Sequence, residues 1–361
     1  MKRILILTLA LAILLPEAAV ARTFNITRGT NIAHWLSQSG ARGEQRANFF
    51  TERDVRQIAA WGFDHVRIPI DEEQMFTEDG KKIQEAFALL HQALGWCAKH
   101  DLRAIVDLHI LRSHYFNAKE KPLFTRRDAQ EHFYRLWSLL SDELKRYPVD
   151  RVAYELMNEP VADNPEIWNR IVRECYATLR AKEKRRFIVI GSNRWQSYDT
   201  VKDQWFPEKD KHVIVSFHYY NPMGLTHYEA SWTDLKNYHG AVRYPGVTIG
   251  DADVRDCPES VRQEIRWNLN KEFNREVIKG HFRQVVEAVK GRGLQIYLGE
   301  YGCIRNAPEV DRYRWLTDVN SLCDEFGIAR ACWAYNEGGA GFGILRKDGY
   351  DREMVRIMTG N

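Results

Sequence analysis

Tyr154-Glu155-Leu156-Met157-Asn158-Glu159-Pro160 is an apolar run that breaks off into a polar pair and a turn former. Such a run reads as a strand buried on both faces, as strands of parallel sheets are. Tyr297-Leu298-Gly299-Glu300-Tyr301-Gly302 repeats the pattern, again with a glutamate at the strand end. Two carboxylates at the ends of two buried strands can cleave a glycosidic bond, one as proton donor and the other as nucleophile or base.

Working outward, short β-branched runs recur at 29–32, 66–70, 104–108, 152–156, 187–190, 213–217, 296–298 and 331–334. Between them the apolar spacing predicts helices over 53–61, 85–100, 127–147, 168–181, 280–292 and 313–326, the first after Thr51 as N-cap. Alternating buried strands and helices imply a parallel α/β sheet. Eight units at this length favour a closed (β/α)8 TIM barrel, and no G-x-G-x-x-G follows an early strand to suggest a dinucleotide fold. The stretch from Asn221 to about Arg275 carries only a weak helical pattern. It is a long loop insertion after strand six, and such loops usually serve function.

The first residues are read as a targeting segment. Lys2 and Arg3 precede the apolar stretch 4–15, and Ala19-Val20-Ala21 offers a small-residue cleavage site. The stretch is too short to anchor the chain in a membrane, and no cysteine follows the cleavage site. The expectation is therefore a secretory signal at 1–21, a secreted or periplasmic protein cleaved near Ala21, and one catalytic domain over 22–361. Net charge is +3, or +2 without the leader, which argues against a nucleic-acid partner. Cys97, Cys175 and Cys323 fall in helical patterns and Cys332 in a strand, so most cysteines read as small apolar residues. A bridge involving Cys257 or Cys303 stays open.

In a (β/α)8 barrel, reactive residues stand at the C-terminal ends of strands. Read there, the chain presents Arg67 after strand two, His109 after strand three, and Asn158 and Glu159 after strand four. His218 and Tyr220 follow strand six, Glu300 ends strand seven and Trp333 ends strand eight. Each alone has a plain structural explanation, an ion pair for Arg67 or core packing for Trp333. Their coincidence in order does not. The set resembles glycoside hydrolase family 5, whose eight near-invariant positions all have counterparts in these residues. The opening Gly29-Thr30-Asn31 with Trp35-Leu36 is also similar to the family's start. Two departures leave specificity unassigned. Ile110 stands where the family often has a second histidine, and 336–341 matches no substrate class.

The resemblance implies a retaining barrel with Glu159 as acid/base and Glu300 as nucleophile, and the side-chain chemistry agrees. Glu159 must hold a proton near neutral pH, which a neighbouring anionic Glu300 would favour. Arg67 can keep Glu300 ionised and Tyr220 can donate to it. Asn158 suits the sugar 2-hydroxyl, His109 and His218 are polar positioners, and Trp333 offers a flat face to the sugar ring. No cofactor and no metal are expected. Asp107 and His109 lack a third ligand, and the acidic loop of Asp251, Asp253 and Asp256 lacks the glycine and terminal glutamate of a calcium loop.

Trp35, Tyr115, Phe116, Trp195, Trp205, Tyr219, Trp232, Tyr244 and Trp267 fall in predicted loops as candidates for stacking on sugars, with Trp195 and Trp232 preferred. The reading is a monomeric hydrolase of β-linked polysaccharide or oligosaccharide, an endo-β-1,4-glucanase of the cellulase type. β-Mannanase or another β-glucan hydrolase is the alternative within the enzymes. A non-catalytic glycan-binding barrel is the alternative outside them.

Overall fold

The computed structural model describes residues 23–336 and 339–360. The leader expected at 1–21 lies outside them, as do Glu337 and Gly338 of the unmatched stretch. Eight parallel strands close a barrel: β1 (Arg28–Asn31), β2 (His65–Asp71), β3 (Arg103–Ile110), β4 (Val152–Glu155), β5 (Ile188–Gly191), β6 (Val213–Tyr219), β7 (Gln295–Tyr301) and β8 (Ala329–Cys332). Closure runs through β1, which pairs with β8 at Gly29↔Ala331 and with β2 at Asn31↔Arg67. All eight expected strands are present. β2, β3, β6 and β7 run further toward their C-terminal ends than the apolar runs suggest, because polar residues facing the barrel interior still pair along the backbone.

The interior has two layers. At the N-terminal end Ile105, Ala153, Val189, Ile214, Tyr297 and Ala331 pack together, and Phe24 and Ile26 close that end from below. Burying a branched side chain such as Ile105, Val189 or Ile214 here stabilises by roughly 2 kcal/mol. Toward the C-terminal ends the interior turns polar, with Asn31, Arg67, Asp107 and Glu155 all buried. Register shifts interrupt the pairing at 70/71, 217/218 and 330/332, near the strand ends. Bulges of this kind re-aim side chains where a site is built.

Outside the strands lie α1 (Glu52–Ala60), α2 (Gln84–Lys99), α3 (Arg127–Leu144), α4 (Pro165–Lys182), α5 (Arg275–Ala288), α6 (Glu309–Phe326) and α7 (Arg352–Thr359). Asp54 accepts from both the backbone N–H (2.8 Å) and the hydroxyl (2.7 Å) of Thr51 at the start of α1. α5 begins at Arg275, not 280, because the Asn274 side chain caps it by accepting from Val277 N at 3.0 Å. α7 escapes the periodicity search because it is only eight residues long, yet Asp351 caps it and it buries Met354, Val355 and Met358.

The β6–α5 connection is not structureless. It holds a short helix at Glu259–Ile265 and a two-stranded ribbon pairing Gly246–Val247 with Glu272–Phe273. All six cysteines are free, so no bridge forms at Cys257 or Cys303; Cys303 is buried with Sγ 3.7 Å from the Leu225 carbonyl. No helix among the described residues is long and apolar enough to cross a membrane.

Candidate active site

Arg67 anchors the site from below. It is the third residue of β2, not a residue beyond the strand, and its side chain is fully buried inside the barrel. Nε and Nη2 donate to Glu155 at 2.7 and 3.0 Å. Nη1 donates to Glu300 Oε1 at 2.7 Å and to Asn31 Oδ1 at 2.9 Å. Nη2 reaches Asn158 Oδ1 and Asp107 Oδ2, each at 2.9 Å. One permanent cation thus serves three buried carboxylates, which is affordable only because every guanidinium donor is used.

The two strand-end glutamates differ in what holds them. Glu300, near the end of β7, takes Arg67 on Oε1 and the Tyr220 hydroxyl on Oε2 at 3.1 Å. Glu159 has a left-handed backbone (φ +44°), and its Oε1 faces His218 Nδ1 at 3.0 Å. The same nitrogen is 3.7 Å from Glu300 Oε2. Burial pushes the pKa of both carboxyls up. The charge of Glu300 raises Glu159 further, whereas Arg67 draws Glu300 back down. The pair therefore holds its proton on Glu159 and its charge on Glu300. Burial keeps His218 neutral, its pKa well below the usual imidazole range, with Arg67 and His109 adding to the effect.

An oxygen of each glutamate and a nitrogen of His218 lie within 4.8 Å of one another. Retaining glycosidases hold their carboxyls about 5–5.5 Å apart, and inverting ones leave room for a water between them. The same three atoms could chelate a metal ion, but Glu300 already bears a guanidinium, which opposes a second cation there. In the acidic loop Asp253 is paired with Arg243 at 2.9 Å and caps Gly250 N, so its oxygens are engaged.

His109 and Trp333 form the wall beside Glu300. Their rings stack with centroids 5.7 Å apart and planes 13° apart. His109 Nδ1 is 2.6 Å from Asp107 Oδ2. Burial lowers His109 to about 4, and burial raises Asp107 to about 7 against the pull of Arg67. Nδ1 is committed to Asp107, which leaves Nε2 as the ring nitrogen free for a ligand in the cleft that His109 lines. Asn158 Oδ1 is spent on Arg67, so its amide N–H groups face the opening.

All ten residues expected at the site line one cleft of about 1830 Å³ or, for Arg67, underpin it. Trp195, Trp232 and Trp267 line it with 43, 48 and 68 % of their surface exposed, joined by Tyr115 and Phe116. The other loop aromatics are not platforms. Trp35, Tyr219 and Tyr244 are buried, and Trp205 packs on Tyr176 away from the cleft. Their apolar neighbours in the fold, not their chain positions, decide this.

Sequence reasoning missed Glu155, Asn31, Gln196 and His114, and weighed Asp107 only as a metal ligand. Glu155 carried a legible signal, a charge in the middle of a buried run. Gln196 carried none. Its amide donates to Glu155 at 3.0 Å, and it occupies the space above Gly191, where any Cβ would meet it at 2.2 Å. His114 Nε2 lies 3.1 Å from the Glu159 carbonyl and pins the backbone there.

The family model described as cellulase (glycosyl hydrolase family 5) matches residues 27–339. The chain belongs to glycoside hydrolase family 5. Among relatives of this family 5 chain, endoglucanase C of Acetivibrio thermocellus is 30 % identical over 342 residues, covering 92 % of this chain and 97 % of that protein. Cellodextrinase A of Ruminococcus flavefaciens is 31 % identical over 313 residues, covering 85 and 84 %. A solved endoglucanase superposes with a TM-score of 0.74 at 25 % identity, covering 93 % of this chain and 97 % of that one. As a family 5 member the chain is a retaining glycoside hydrolase, and an approach of the two carboxyls to within 4.8 Å is compatible with that mechanism.

Proposed function

We propose that this hydrolase is an endo-acting β-1,4-glucanase in which Glu300 attacks the anomeric carbon while Glu159 protonates the departing oxygen. Water, deprotonated by Glu159, then releases the sugar from Glu300. The observation that carries this reading is the unequal treatment of two neighbouring carboxyls. Arg67 and Tyr220 donate to Glu300, and neither donates to Glu159. Asn158 meets the 2-hydroxyl, and Trp333 supports the ring at the cleavage point. Trp195 and Trp232 extend the contact along a cleft larger than one sugar ring requires. The choice of β-1,4-glucan is supported by relatives named endoglucanase and cellodextrinase. The protein is further proposed to be exported as a monomer after cleavage near Ala21, with 22–361 as its one catalytic domain and without a cofactor.

The test is a panel of β-1,4-glucan, mixed-linkage glucan, mannan, xyloglucan and xylan with product analysis. Fastest cleavage of β-1,4-glucan into oligosaccharides supports the reading; a preference for mannan would replace it. Glu300→Ala should lose at least about 10³-fold in kcat. Activity within tenfold of wild type would remove the nucleophile assignment.

A further inference from the structure

His218 stands between the two carboxyls through Nδ1 alone. Its other nitrogen, Nε2, is buried and has no hydrogen-bond partner. Two residues earlier on β6, the hydroxyl of Ser216 is also buried without a partner. Across from both lies Gly299 of β7. A Cβ placed there would sit 2.8 Å from Ser216 Oγ and 3.2 Å from His218 Nε2. The two orphan atoms therefore border one small gap that exists because residue 299 has no side chain. Buried polar atoms rarely go unserved, and a gap lined by two of them suits one bridging water.

The tautomer of His218 matters to the acid. With Glu159 protonated, its O–H needs an acceptor at Nδ1, so the proton of the neutral ring must sit on Nε2. The opposite tautomer would donate Nδ1–H to the ionised carboxylate and favour loss of the catalytic proton.

We propose that Ser216 is a positioning residue: its hydroxyl accepts the Nε2–H of His218 across the Gly299 gap through one ordered water, and so presents the bare Nδ1 to Glu159. This rests on the reading of Glu159 as the acid. The other charged and titratable groups around the pair are Glu300, Arg67, Asp107, Glu155, His109 and Tyr220, and none of them bonds Nε2. With the proton held on Nε2, the ring has none to give Glu159 after proton transfer. The carboxylate then stays basic enough to activate the water of the second step.

The test joins two readouts on the full enzyme. Nitrogen-15 NMR of labelled histidine, with the His218 signal assigned by its loss in His218→Asn, reports the tautomer without any substrate. Wild type and Ser216→Thr should show protonated Nε2 and bare Nδ1; Ser216→Ala should show a mixture or the reverse. In kcat/KM against pH on carboxymethylcellulose, Ser216→Ala should move the alkaline limb down by about half a pH unit or more. Ser216→Thr should restore it, which a loss of packing alone would not. An Nδ1–H tautomer in wild type overturns the proposal, as does a Ser216→Ala enzyme with unchanged tautomer and limb. Because the NMR readout needs no turnover, it judges Ser216 even where Glu159 proves not to be the acid. In that case Glu159→Gln would leave the alkaline limb in place.

Discussion

Arg67 Nη1 lies 2.7 Å from Glu300 Oε1, although the two residues are 233 positions apart in the chain. The same guanidinium holds Glu155 and touches Asp107. The proposed nucleophile is thus held by a cation that is itself locked in place by two other buried carboxyls. Removing the cation would leave all three without a counter-charge, though Tyr220, Gln196 and His109 would still bond them.

Arg67→Leu should therefore cost stability as well as activity. Leaving buried carboxylates unpaired costs roughly 3–5 kcal/mol, even allowing for their protonation. Thermal unfolding should show a fall of many degrees, and Arg67→Lys should recover only part of it because an ammonium cannot reproduce the fork. A melting temperature unchanged in Arg67→Leu would show that the network does not carry stability.

Glu159→Gln should separate substrates by leaving group. Aryl glycosides whose phenol departs without help need little protonation, whereas a sugar leaving group needs it fully. The expected outcome is a loss of at least about 10²-fold on polymer with a much smaller loss on a dinitrophenyl β-cellobioside. Equal losses on both would count against Glu159 as the acid.

Tyr220→Phe should move the acid limb of kcat/KM. As the proposed nucleophile Glu300 works ionised, so the rate should fall as pH drops through its pKa. Tyr220 donates to that ionised form at 3.1 Å and stabilises it. Removing the hydroxyl raises the pKa of Glu300, so the acid limb should shift to higher pH while the alkaline limb, set by Glu159, moves less. A shift of the acid limb to lower pH would contradict the hydrogen bond's direction.

Asp351 offers a test remote from the cleft. It accepts from Met354 N at 3.0 Å, Arg312 at 2.9 Å, Arg346 at 2.5 Å and the Tyr313 hydroxyl at 2.9 Å. Burial pushes its pKa up, but the Met354 N–H and both guanidinium groups outweigh that and hold it at about 2. A depressed carboxyl contributes its stability above its unfolded value near 3.8, and loses it as pH falls through about 2. Asp351→Ala should destabilise by about 2–4 kcal/mol at neutral pH and by much less near pH 2. A penalty independent of pH would show that packing, not charge, is at work there.

The barrel was legible because its signals are local. Buried runs such as 213–217 carry their β-branched residues in sequence, and α1 carries its cap at Thr51. α7 was not legible, since eight residues hold too few turns for periodicity. Trp35 and Trp195 look alike in sequence, one buried against Phe50 and the other exposed in the cleft, because the surroundings that separate them come from distant segments. Glu155 could be seen as an anomaly but not explained, since its partner Arg67 is 88 residues away.

By itself, then, the sequence determined the alternation of strands and helices and the set of polar residues at the strand ends. Those follow from burial and period, which each segment encodes alone. The resemblance implied that Glu159 keeps the proton, but only the tertiary structure supplied the contacts that make the two carboxyls unequal. Glu159 and Glu300 are the same residue type at the same kind of strand end. They differ because closure of the barrel delivers Arg67 and Tyr220 to one and only His218 to the other.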